Sequence, residues 1–310
     1  MDKQESKPNN TEQTTAWLLE SETPSIRYLT LTTLMGRSEM DEESAAARCA
    51  IPEEEPVRTI LDEQDERGFW VWDQHYYGPK YHSSHWSMLL LTEMAVSPEH
   101  PKMQKGAQYM LESVYRKTDD WIFEENVGCF WGNWLRYQLY CGNRDDERVQ
   151  QIIERTCRDI HQKGVCKYNY DKPCSWGVVR DLFGLALIPE EQQDEQTREA
   201  IQAGLEFLLE KYHLEAGDYP YVNKIHPLWS KTSFPLFYQA DILFTLRVLK
   251  ELGAADHPGV KKAREWLTGR RKEDGTWRGG SPYRSRTHPF VKAPDTVDRW
   301  VTLQAMQALS

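Results

Sequence analysis

The sequence predicts an all-α protein built as an (α/α)6 toroid, with six inner helices ringed by six outer ones. Three observations carry this. Helical periodicity recurs along nearly all of the 310 residues, whereas strand patterns are scarce. Segments with one polar face alternate with segments apolar nearly all round, and the second kind must be buried. Connections alternate too: those leaving an inner helix are short, and those entering one are long.

In order, a helix at 11–20 is amphipathic, and Pro24 opens a second over 24–36, closed by Gly36. Charge-rich outer helices are then expected near 54–65, 101–115, 146–162, 195–212 and 257–271. More apolar inner helices are expected near 84–96, 129–142, 174–187, 234–253 and 296–309. Gly142-Asn143-Arg144-Asp145 and Gly253-Ala254-Ala255 are short turns. The segments 66–83, 116–128, 163–173, 213–233 and 272–295 are long, and long loops in compact domains are usually functional. In a ring they gather where the inner helices begin, so the functional cavity is expected at those N-terminal ends. Residues 1–10 read as a polar tail and 11–310 as one domain.

The formal net charge of −10 argues against nucleic acid as a partner. The start, MDKQESKPNNTEQTT, has no apolar core, and no apolar run approaches a membrane span. The expected setting is cytoplasmic and the expected partner a small molecule. Cys49, Cys129, Cys141, Cys157, Cys166 and Cys174 then read as thiols or metal ligands rather than disulfides.

Two internal repeats stand out. Gln64-x-x-x-Gly68-x-Trp70 is matched by Arg271-x-x-x-Gly275-x-Trp277, each ending an outer helix. There the glycine can turn left-handed and the Trp can cover the helix end. Cys129-Phe130-Trp131-Gly132 is matched by Cys174-Ser175-Trp176-Gly177, with Ser84-His85-Trp86 a further step back. All three open inner helices.

The first repeat resembles the QW motif of squalene and hopene cyclases, and the twelve helices look like the toroid those enzymes share with protein prenyltransferases. The resemblance spans nearly the whole chain in architecture and extends to the stand-alone bacterial proteins with such repeats, although Arg271 stands where the motif has Gln. It implies a terpenoid-cyclase-like or prenyl-transfer-like enzyme acting on an isoprenoid in the central cavity. The DxDD acid of that chemistry is missing. The nearest carboxylates, Asp119-Asp120 and Asp295 with Asp298, have other spacings, and Asp145-Asp146 sits on the short-loop side.

Cys129 and Cys174 open neighbouring inner helices, with Cys166 just before and His85 on the next helix. Three sulfurs and an imidazole form a sensible zinc set, and helix N-termini favour thiolate. Seven residues beyond the cysteines, Arg136 and Asp181 share their helix faces, and Asp241 can join them as an ion pair or a substrate grip. With Asp298 these are the candidate catalytic residues. His82, Trp86, Trp131, Trp176, Trp229, Tyr238 and Trp300 are candidate substrate contacts, because aromatic walls suit a carbocation or a sugar ring. The alternatives are a sugar- or peptide-modifying α/α-barrel enzyme and a non-catalytic small-molecule-binding toroid.

Overall fold

The computed structural model describes residues 10–115, 128–211, 220–221 and 224–310. The chain is all-α. Its helices are α1 (Asn10–Leu19), α2 (Pro24–Leu29), α3 (Glu42–Ala50), α4 (Val57–Asp62), α5 (Ser84–Glu93), α6 (Pro101–Ser113) and α7 (Gly128–Tyr140). They continue with α8 (Glu147–His161), α9 (Ser175–Leu185), α10 (Glu195–Glu206), α11 (Ile242–Glu251), α12 (Lys261–Thr268) and α13 (Thr296–Leu309). Among the described residues, extended structure is limited to Pro220–Tyr221 paired with Lys224–Ile225 and two single bridges. None of the described helices is long and apolar enough to cross a membrane. Residues 1–9 and the Asp119-Asp120 pair lie outside the described residues.

Local chemistry sets the helix starts. Asp194 accepts from the Thr197 N–H at 2.7 Å to cap α10, and Asp241 does the same for Phe244 at 2.7 Å on α11. The Asp241 cap corrects the expected helix over 234–253. Pro235 has no N–H to give, the Phe234 N–H bonds Gly280 O at 2.9 Å, and the helix waits until Ile242. Tyr238 therefore sits on a loop. α3 was not expected, although Asp41 before Glu42-Glu43 and an alanine run are ordinary helix-start signals.

The glycine–tryptophan repeats fold alike. Gly68 and Gly275 adopt φ of 97° and 84°. Trp70 Nε1 donates to Ile60 O at 2.7 Å, and Trp277 Nε1 donates to Leu267 O at 2.8 Å, each ten residues back. Their main-chain N–H groups donate to Ser84 Oγ of α5 at 3.0 Å and Thr302 Oγ1 of α13 at 2.9 Å. Gln64 and Arg271 each reach the repeat glycine's carbonyl, at 3.2 and 3.0 Å. Arginine thus replaces glutamine in function as well as position.

The more apolar helices pack in sequence: α5 on α7, α7 on α9, α9 on α11, α11 on α13 and α13 on α2. Amphipathic helices cover them, α6 on α5, α8 on α7 and α9, and α12 on α11. The tightest junction is α7 with α9. A Cβ on Gly132 would stand 2.5 Å from the Asp181 nitrogen and closer still to the Arg180 carbonyl, and one on Gly184 would stand 2.6 Å from Gly132 O. The two backbones touch because these positions carry no side chain.

Candidate functional site

One cavity of about 380 Å³ is lined by residues of α2, α5, α7, α11 and α13 towards their C-terminal ends, by Leu187 just past α9, and by Arg48 of α3. It is the opposite end from the one the long loops suggested. Its walls are charged. Arg136 meets Glu251 at 2.6 Å, Arg247 meets Glu93 at 3.3 Å, and Arg48 faces Glu39 at 3.9 Å. Arg48 also donates to the hydroxyl of Tyr28 and, at 3.2 Å, to that of Tyr140, which donates to Val96 O at 2.8 Å. Helix C-termini gather negative ends here, which the cations of Arg48, Arg136, Arg247 and Lys250 offset.

Arg136 therefore does line a cavity, but its partner is Glu251 rather than Asp181. Asp181 points elsewhere. It is fully buried against Gly128 and towards Arg155 and Asp159 of α8. Neither carboxylate oxygen has a hydrogen-bond partner among the described residues, and burial, reinforced by Asp159, drives its pKa well up. Its neighbour Arg180, one step of 100° round the helix, points instead towards α7 and α11. Arg180 is wholly buried and donates through Nε to Gln239 O at 3.1 Å and through Nη1 to Asn133 Oδ1 at 3.3 Å. Its guanidinium lies 3.8 Å from the Phe244 ring centroid. Burial pushes its pKa down to about 9. Sequence reasoning missed Arg180, although a charge inside the apolar run Ser175–Leu185 is a visible anomaly.

At the N-terminal ends the described residues form an aromatic assembly. Trp86 packs against Tyr77, Tyr81, Phe237 and Tyr238 at centroid distances of 4.8 to 6.2 Å and donates through Nε1 to Tyr77 O at 2.8 Å. Tyr81 holds φ of 75°, a strained value for a bulky residue, clamped between Phe237 and Tyr283 at 4.7 Å each. The Lys80 ammonium stands over Tyr238 at 4.7 Å and Tyr77 at 5.7 Å. Trp176 meets His226 at 4.9 Å and Tyr238 at 6.3 Å. Trp86, Trp176 and Tyr238 are thus brought together. Trp131 is not: it turns outward under the guanidinium of Arg155, 5.0 Å from the centroid. Trp300 stacks on Phe234 at 4.2 Å, and Trp229 is buried, tied by its backbone to His226 and Ile242.

The carboxylates Asp241 and Asp298 serve the backbone. Asp241 holds the Ser233 and Phe244 N–H groups at 3.0 and 2.7 Å, and burial lifts its pKa to about 7. Asp298 accepts from the Gly279 N–H at 2.7 Å. The cysteines also differ from expectation. Cys174 is the N-cap of α9, its Sγ accepting from Gly177 at 3.1 Å. Cys129 lies within α7, where burial, with Cys174 and Cys166 nearby, pushes its thiol up rather than towards thiolate. His85 stacks on Phe130 at 4.5 Å and has Nδ1 3.2 Å from the Tyr137 hydroxyl. Among the described residues no three His, Cys, Asp or Glu side chains converge on a point that could hold a metal ion. His85, Cys129, Cys166 and Cys174 are not brought together as such a group.

Two buried histidines give this half a pH dependence. His288 has Nε2 3.1 Å from Ser87 Oγ and Nδ1 3.2 Å from Glu63 Oε2, and its ring meets that of His82 at 4.6 Å. Burial pushes His288 down to about 4 and His85 down to about 3. The half-exposed, solvent-screened Glu63 does not reverse this. Both folded pKa values lie below the free imidazole's roughly 6.5. Their contribution to stability is therefore present above that value and is lost as pH falls towards 4 and then 3. The urea midpoint should drop between pH 7 and pH 4.5, and His85→Phe should flatten that fall. An equal fall in the variant would show that His85 is not its source.

Compared with known protein families, curated proteins and solved structures, the chain matches none of them.

Proposed function

We propose that the chain is a closed toroid of inner and outer helices, with α3 inserted, that binds a small hydroxyl-rich molecule such as a sugar or polyol in the C-terminal cavity. The observation that carries this is the cavity wall. Three Arg–Glu pairs and two tyrosines place donors and acceptors around one space shared by six helices. A hydrocarbon there would strip water from these ion pairs and return no hydrogen bonds, whereas hydroxyls can donate to the carboxylates and accept from the guanidiniums. Each carboxylate is bridged by an arginine, so the reading is binding without catalysis. Zinc forms no part of it.

The isoprenoid reading keeps one support, the aromatic assembly around Trp86 and Tyr238 at the other end. The paired Gly–Trp repeats support the resemblance to the cyclase and prenyltransferase toroids but not their chemistry.

Titration calorimetry with a panel of monosaccharides and polyols, and with farnesyl and geranylgeranyl diphosphates, separates the two. At least one sugar or polyol should bind, and Arg136→Met should weaken it by about tenfold or more, the loss of one charge-assisted bond. Thermal melts of the variant check that it folds. Binding or turnover of the diphosphates, with no sugar or polyol bound, would overturn the proposal and restore the isoprenoid reading.

A further inference from the structure

The protein is acidic, with a formal net charge of −10, yet one part of its surface is basic. A groove of about 590 Å³ is lined by Lys231, Arg270 and Arg278 with no carboxylate. A second hollow shares Arg278, Gly279 and Ser281 with it and adds Lys272, Arg284 and the single carboxylate Asp298. Asp298 is already engaged by the Gly279 N–H at 2.7 Å and by Lys272 at 3.8 Å. The surface lies at the start of α13 and before α11, away from the C-terminal cavity.

The floor of this surface is fixed. Gly280 N donates to Thr232 O at 2.8 Å, Phe234 N donates to Gly280 O at 2.9 Å, and Thr232 Oγ1 donates to Arg278 O at 2.7 Å. Gly279 has no room for a side chain, because a Cβ would stand 2.6 Å from Val297 O. Arg270 is held over the Trp266 ring at 4.3 Å. One polar atom in this frame is orphaned: Ser281 Oγ is buried and has no hydrogen-bond partner among the described residues, and Ser281 lines both hollows.

We infer that this surface is a binding site for a phosphate group, held by Arg278 and Arg284 with Ser281 as hydroxyl donor and Lys231 and Arg270 neutralising the remaining charge. Arginine forks match the oxygen geometry of a phosphate, and a buried hydroxyl without a partner is satisfied by a ligand oxygen. A patch that attracts polyanions merely by charge has no use for Ser281. The inference is independent of the sugar-binding reading.

The test is calorimetry on the full chain at moderate salt, with inorganic phosphate, a nucleoside monophosphate and a sugar phosphate as probes. One probe should bind with one site per chain. Arg278→Ala/Arg284→Ala should weaken it by about a hundredfold, and Ser281→Ala by about tenfold, one charge-assisted bond per tenfold step. An ester binding more tightly than inorganic phosphate identifies a phosphorylated metabolite as the ligand, and equal binding identifies free phosphate. Both support the site. Binding unchanged in Ser281→Ala, or no binding of any probe by a folded wild-type chain, overturns it. So does preferential, Ser281-independent binding of heparin or RNA.

Discussion

Gly132→Ala should be among the most damaging single-methyl changes in this protein. The added Cβ meets the backbone of Arg180 and Asp181, which cannot move without separating α7 from α9. Overpacking typically costs 1–3 kcal/mol, and with rigid backbone as the obstacle we expect about 3 kcal/mol or more. Gly177→Ala is the control. Its Cβ would meet Cys174 Sγ at 3.3 Å and Gly164 O at 3.4 Å, a slight crowding. Alanine is a better helix former than glycine by roughly 0.5–1 kcal/mol. Gly177→Ala should therefore be close to neutral. Urea unfolding of both variants decides it. Equal midpoints would mean that α7 and α9 do not approach so closely in solution.

Arg180→Ala should cost about 3–5 kcal/mol, from the cavity left by a large buried side chain and from two acceptors left orphaned. The acceptors are Gln239 O and Asn133 Oδ1. Arg180→Lys should cost less than Arg180→Ala, because it fills most of the space, but it cannot reproduce the fork that bonds two different acceptors. A second readout is specific to the charge. Arg180 is one of the groups that lowers the His85 pKa. In Arg180→Met the His85 resonance, followed by NMR, should titrate at higher pH than in the wild type. An unchanged His85 titration would place the guanidinium away from His85.

These positions divide what was legible in the chain from what was not. The all-α class, the alternation of polar-faced and apolar helices, and the Gly–Trp helix ends could all be read from the sequence. Each depends on residues within a few positions of one another: a period of 3.6, a left-handed glycine, an indole reaching ten residues back. The long 272–295 loop was identified as important, but its contacts, such as His288 with Ser87, join residues 201 apart and leave no local trace.

Site residues were harder to place because a helix turns 100° per residue, so one position of error in register exchanges an axial residue for a buried lateral one. Arg136 lines the cavity at the C-terminal ends and meets Glu251 rather than Asp181. Asp181 was chosen where its neighbour Arg180 reaches α7 and α11. Tyr238 reached the aromatic assembly from a loop rather than from the helix expected over 234–253.

The sequence by itself determined an all-helical chain with polar-faced and more apolar helices, because burial of an apolar face is written in local periodicity. Only the tertiary structure decided which ends of the more apolar helices line a shared cavity, which charge meets which, and that the α7–α9 backbones touch. Those outcomes depend on the rotation and depth at which separate helices meet, and side-chain volume and long-range pairing set them jointly rather than any one segment alone.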